Sequence, residues 1–166
     1  MRTIITVIFV IIYLLVSLPI QGVMWLLKKT GWVSAEKIDL AALRFVQFGF
    51  HCVEACSGVR VTVIGAENVP ADEPVLYVAN HLSIFDVILT YGRVPYLTGY
   101  ISKQNVLKVP SLGTWMKRLY CLGLDRDDMR QGLTVILTAI DQIKRGISIF
   151  IFPEGTRSRD GQMHEF

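Results

Sequence analysis

Val75-Leu76-Tyr77-Val78-Ala79-Asn80-His81-Leu82-Ser83-Ile84-Phe85-Asp86 holds the reading of the fold. Its first five residues are an apolar, β-favouring run, the length of a buried strand. Ser83, with Asp86 three residues later, has the form of a capping box, so a helix is predicted to begin just after Ser83. The stretch is thus strand, short polar loop, helix. In a continuous helix His81 and Asp86, five apart, would be rotated by roughly 140° and could not meet. With His81 in the loop and Asp86 in the first turn they can.

The same alternation runs outward from this stretch. Strands are predicted at Val59–Ile64, Val75–Ala79, Leu97–Ser102, Leu119–Leu124 and Ile147–Phe152, and helices at Ile84–Tyr91, Ser111–Arg118 and Met129–Arg145. In the last helix, Asp127 or Asp128 can cap the start. Leu133, Ile136, Leu137, Ile140 and Ile143 form an apolar face, and Gly146 can end it. Alternating strands and helices predict an α/β fold with a largely parallel sheet flanked by helices. In such sheets ligands bind at the carboxyl ends of the strands. The loop holding His81 lies at one such end, and Phe152-Pro153-Glu154-Gly155-Thr156-Arg157-Ser158 at another.

Toward the N-terminus the composition changes. No charged residue lies between Thr3 and Leu27, and the run is bounded by Arg2 and by Lys28-Lys29. About 20 apolar residues suffice to span a bilayer, and no small-residue cleavage site follows, so the run is read as a retained membrane anchor. Pro19, Gln21 and Gly22 interrupt it and leave spanning, kinked and re-entrant paths open. Lys28-Lys29 predicts that the following domain lies on the cytoplasmic face. From about Ala35 to Cys56 a second helix carries Lys37, Arg44, Gln47, His51 and Glu54 as one polar stripe on an apolar cylinder. It either lies in the membrane interface against the anchor or is a buried core helix. The division expected is 1–57 for the anchor and amphipathic helix, and 58–166 for the α/β domain.

Bulk properties agree with a membrane setting. The 166 residues are 52% hydrophobic, with a mean hydropathy of +0.44 and a net charge of +3. So small an excess, without basic runs interleaved with aromatics, argues against nucleic acid and suits anionic membrane surfaces or acidic small molecules. Three cysteines, Cys52, Cys56 and Cys121, do not make a disulfide framework and fit a reducing compartment. His51, Cys52 and Cys56 share a helix but converge poorly as metal ligands.

The chemistry needs few residue types. A neutral imidazole beside a carboxylate can take a proton from a hydroxyl, and an arginine in a glycine-containing turn can hold a phosphate. From these residues alone, a capping Asp86 beside an ordinary loop histidine, and a solvated Arg157, fit as well. Taken together the motifs say more. N-H-x-x-x-x-D at Asn80–Asp86 and F-P-E-G-T-R-S at Phe152–Ser158 resemble the first and third motifs of the glycerolipid acyltransferase superfamily. Gly123-Leu124-Asp125-Arg126 resembles its second, and Lys103 with Leu107, Pro110 and Gly113 a stretch between. The likeness runs from about Gly58 onward and is greatest to short bacterial lysophosphatidic acid acyltransferases (1-acyl-sn-glycerol-3-phosphate O-acyltransferases), which also begin with membrane-associated helices.

That resemblance implies transfer of a fatty acyl group from acyl-CoA or acyl-acyl carrier protein to the free hydroxyl of lysophosphatidic acid, giving phosphatidic acid. His81 would be the general base and Asp86 its orienting carboxylate. Arg157 would bind the acceptor phosphate in a site shaped by Glu154, Gly155 and Thr156, with Arg126 and Lys103 adding positive charge. No metal and no cofactor beyond the acyl donor is implied, and the partners are the phospholipid bilayer, the lysophospholipid and the donor. Glycerol 3-phosphate or another lysophospholipid as acceptor, or a non-catalytic lipid-binding role, are the alternatives. Family members continue beyond the third motif with a further proline-containing motif, so an acyltransferase domain incomplete at its C-terminal end is expected.

Overall fold

The computed structural model describes residues 1–70, 72–155 and 157. Two long helices come first, α1 (Arg2–Thr30) and α2 (Ala35–Ser57). There follow β1 (Leu76–Val78), α3 (Ile84–Tyr91), β2 (Thr98–Lys103), a 3-10 turn at Gln104–Lys108, α4 (Leu112–Arg118), β3 (Leu122–Leu124), α5 (Met129–Lys144) and β4 (Ser148–Ile151).

The four strands form one parallel sheet in the order β1-β4-β2-β3. Crossovers between parallel strands are right-handed. The chain therefore lays its connecting helices on one face while the sheet grows from β1 to β3, and on the other when it turns back to insert β4. α3 and α4 accordingly pack with α2 on one side, and α5 packs on β3 and β4 from the opposite side. Side chains alternate along each strand. Tyr77, Phe150 and Tyr100 stand in register across three strands and stack ring on ring, with centroids 5.6 and 4.5 Å apart. Phe150 and Tyr100 join Ala42 and Leu43 of α2, Tyr91 of α3 and Trp115 of α4 in the core. On the other face Ile149 is fully buried. There Gly99 leaves room that a side chain would close, since a Cβ would collide with the Tyr120 carbonyl oxygen and lie 3.1 Å from Gln142 Oε1 of α5.

The two N-terminal helices belong to this core rather than standing apart from it. Along α1 a polar row at steps of four, four and seven faces the rest of the protein. Tyr13 Oη donates to the Phe45 carbonyl at 2.6 Å. Ser17 Oγ accepts from Gln21 Nε2 (3.1 Å) and from Trp115 Nε1 (2.9 Å). Lys28 Nζ bonds both oxygens of buried Asp39 at 3.0 Å. The other side of α1, with Ile4, Ile8, Ile11, Ile12, Leu15, Trp25 and Leu26, is exposed. α1 is continuous through Pro19 and is the one described helix long and apolar enough to cross a membrane.

The polar stripe predicted on α2 is divided: Gln47 and Glu54 turn inward, while Lys37, Arg44 and His51 are exposed. Gln47 Nε2 donates to the Tyr91 and Val94 carbonyls (3.2 and 2.8 Å), and Glu54 pairs with Arg93 at 2.7 and 2.8 Å, so the stripe receives the end of α3. α2 thus both packs on α1 and lines the core.

Two expectations need correction. Val59–Ile64 is not a strand: it is irregular, and Val63 and Ile64 are exposed. Its β-branched residues favour an extended chain, but a strand exists only by pairing, and β1 pairs solely with β4 among the described residues. The apolar face read on α5 is also not the buried one. Val135, Ala139 and Gln142 are buried, while Leu133, Ile136, Leu137 and Ile140 are exposed. The row holding Val135 and the small Ala139 is the buried one where α5 packs on β3 and β4, and the larger side chains turn outward. Asp128, not Asp127, caps α5, accepting from the amides of Arg130 and Gln131 at 3.0 Å.

Candidate active site

All strands are parallel, so their carboxyl ends share one edge of the sheet. That edge gathers the loop after β1 (His81), the turn after β4 (Glu154, Gly155, Arg157), the end of β2 (Lys103) and the segment after β3 (Arg126).

The helix starts where the sequence predicts. Ser83 is the N-cap of α3 in extended backbone, its Oγ accepts from the Phe85 amide (3.2 Å), and Asp86 completes a capping box. Asp86 Oδ2 accepts from the Leu82 and Ser83 amides at 2.6 and 2.7 Å. The same oxygen lies 3.0 Å from His81 Nδ1. A carboxylate can only accept, so Nδ1 carries the hydrogen and the lone pair of the neutral ring is on Nε2. The imidazole is part-buried, with its side chain 18% exposed. It stacks on Phe152 with centroids 4.3 Å apart and the planes 23° from parallel. One edge of the ring is therefore tied to α3 and one face rests on the residue after β4.

A second tie fixes the loop. The His81 amide donates to Glu154 Oε1 at 3.3 Å, which joins the first and last motifs directly. Glu154 Oε2 is buried without a hydrogen-bond partner among the described residues. Glu154 sits in the turn after β4, closed by the Gly155 amide donating to the Phe152 carbonyl (3.0 Å). Gly155 has φ +65°, a left-handed conformation that suits glycine. Arg126 packs over it: a Cβ added at Gly155 would lie 3.2 Å from the Arg126 guanidinium carbon. Behind the histidine, Tyr100 Oη donates to Thr90 Oγ1 (2.9 Å) and Thr90 to the Asp86 carbonyl (2.5 Å), which ties the first turn of α3 to β2. Burial pushes the Tyr100 phenol well above its ordinary range, so it remains a donor.

His81, Asp86, Glu154, Gly155 and Arg126 are thus drawn together. Arg157 is exposed beyond the same turn, Lys103 is exposed where β2 ends, and Thr156 lies outside the described residues. Two features escaped the sequence reading: the stacking of Phe152 on the histidine and the bond from the His81 amide to Glu154. The first has a signal. Phe150 and Phe152 alternate on one face of β4, so placing Phe150 beside Tyr77 puts Phe152 beside the end of β1. The second depends on the pairing of β1 with β4, which sequence spacing does not disclose.

His51, weighed above with Cys52 and Cys56, instead faces Glu54, with 3.7 Å between Nδ1 and Oε2.

A model of the acyltransferase family matches residues 60–166. A 1-acyl-sn-glycerol-3-phosphate acyltransferase of Chlamydomonas reinhardtii is 33% identical over 92% of this chain and 46% of its own length. One from Pseudomonas aeruginosa is 30% identical over 76% of this chain and 51% of its own, and a chloroplastic one from Arabidopsis thaliana 34% over 64% and 30%. The chain matches between 30% and 51% of the length of these curated relatives. The crystal structure of the 1-acyl-sn-glycerophosphate acyltransferase PlsC from Thermotoga maritima superposes on all of this chain and 67% of its own, with a TM-score of 0.70 and 25% identity. A family match over well over half of the residues, joined to a fold shared from end to end, makes this chain a member of the acyltransferase family.

Proposed function

We propose that the chain transfers a fatty acyl group from a thioester donor, acyl-CoA or acyl-acyl carrier protein, to the free hydroxyl of lysophosphatidic acid. The observation that carries this reading is the His81 Nδ1 to Asp86 Oδ2 contact of 3.0 Å, which leaves the basic nitrogen of a partly sheltered imidazole available. The acceptor hydroxyl gives its proton to Nε2 as its oxygen attacks the thioester carbonyl. Asp86 offsets the positive charge then shared by the ring. When the tetrahedral adduct collapses, the C–S bond breaks and the thiolate takes the proton back from Nε2. No acyl-enzyme is formed.

The acceptor's phosphate is assigned to Arg157 with Arg126, where the turn after β4 meets the segment after β3, and Lys103 adds charge at the same edge. Forked guanidinium groups suit phosphate oxygens. Glu154 ties the histidine loop to this turn through its bond with the His81 amide. The printed names of the relatives support a lysophosphatidic acid acceptor, and the exposed apolar side of α1 supports a substrate met at a membrane. Because the polar side of α1 is docked on the domain, the helix is assigned to the bilayer surface with its apolar side in the lipid. Lys28-Lys29 support a cytoplasmic orientation.

The test is acyl transfer in membranes containing the chain, supplied with labelled acyl-CoA or acyl-carrier donor and lysophosphatidic acid. His81→Ala is expected to lower transfer by about 10² to 10⁴-fold, and full transfer by this variant would refute the assignment. Arg157→Ala is expected to act mainly on the acceptor KM. Equal use of soluble glycerol 3-phosphate would move the acceptor to that compound.

A further inference from the structure

At the opposite edge of the sheet, where α4 runs into β3, lies an open cavity of about 420 Å³. It is lined by Trp25, Lys28 and Lys29 from the end of α1 and by Thr114, Lys117 and Arg118 of α4. Four of the six lining residues are cations and none is an acid. Lys28 is answered by Asp39 behind the wall, whose Oδ2 also accepts from Tyr120 Oη at 2.5 Å. Arg118 is not answered among the described residues: its Nε and Nη1 are buried and have no hydrogen-bond partner there. Donors shielded from water and left without an acceptor are unfavourable, and a guanidinium fork is satisfied best by two oxygens of one anion.

The surroundings say which anion. Trp25 belongs to the exposed apolar side of α1, and Lys29 Nζ sits over its ring, 5.0 Å from the centroid. Tryptophan beside lysine at the end of an apolar helix marks the level of lipid headgroups. We propose that this cavity binds the phosphate headgroup of an acidic phospholipid, at a site separate from the one holding His81. Arg118 takes two phosphate oxygens, Lys29 and Lys117 close over the headgroup, and Trp25 lies along the upper acyl chain. The site holds the end of α1 to an acidic leaflet whether or not acyl transfer occurs, so it stands independently of the reaction assigned above.

Co-sedimentation of the full chain with phosphatidylcholine vesicles, with and without phosphatidylglycerol, tests this. The quantity read is the ratio of the two partition coefficients, which removes the common contribution of the apolar helix. Lys29→Gln with Lys117→Gln, both exposed positions, should lower the ratio by about fivefold per cation, or roughly 25-fold. Lys144→Gln with Arg130→Gln removes the same charge from α5, across the sheet, and should change it less than about twofold. Arg118→Lys keeps the charge but loses the fork, and should still lower the ratio by about fivefold. Equal losses from the cavity pair and the α5 pair, or an unchanged ratio in Arg118→Lys, would mean only diffuse attraction and overturn the site. Loss of the phosphatidylglycerol preference on adding inorganic phosphate at matched ionic strength would reassign the cavity to a soluble anion.

Discussion

Asp86 Oδ2 meets three donors at once: the Leu82 and Ser83 amides and His81 Nδ1. Capping a helix and orienting a base are therefore not rival roles for this residue but one set of bonds. They can be separated by substitution. Asp86→Asn keeps an oxygen for the amides and should cost about 1 kcal/mol or less in thermal unfolding, yet it removes the charge that supports the protonated ring. Transfer should fall by about 10² to 10⁴-fold. A variant with wild-type initial rates would reduce Asp86 to a cap. This part of the site was legible in the sequence because five consecutive backbone steps carry it. Phe152 and Glu154 were legible only as members of a motif. Their contacts with His81 depend on the register Leu76↔Ile149, between strands more than 70 residues apart.

Among the elements, α5 is where pattern and packing part. Its hydrophobic residues recur with helical spacing on more than one side, so periodicity identifies the helix and its cap without identifying the side that is buried. The packing of α5 on β3 and β4 decides that. The expected consequence inverts the sequence reading. Leu137→Glu should leave thermal stability within about 0.5 kcal/mol, as for an ordinary surface change. Val135→Asp, which buries an unpaired carboxylate, should lower it by more than about 3 kcal/mol. Thermal melts of the two variants check this, and the reverse ranking would show that α5 packs by the Leu133–Ile140 side. The segment Val59–Ile64 teaches the same lesson for strands. Its composition is β-favouring, but propensity near one kcal/mol is overruled when no neighbour offers a ladder.

At the scale of the molecule, the first two helices and the α/β domain are joined by polar bonds as well as apolar packing. Arg93, donating two hydrogen bonds, holds the Glu54 carboxyl below its ordinary value near 4.5, and His51 on the same helix faces it too. A carboxyl depressed in the folded state adds stability that is complete above its unfolded value and is lost as pH falls through the folded one. Relative to Glu54→Gln, the wild-type chain should be more stable by about 1 to 3 kcal/mol at pH 7. The difference should shrink as pH drops below about 4.5. Chemical unfolding of both proteins across that range measures it, and a constant gap would remove the ion pair from the account. The sheet order has a further effect, on timing. β1 and β2 are not paired with each other; each pairs with β4, which is made after both. A chain elongated only through α5 holds β1 apart from the β2–β3 pair, with His81 and Asp86 already made but Phe152 and Glu154 still to come. The histidine loop is therefore synthesised early and locked late, so a half-made chain holds its base without the residues that fix it.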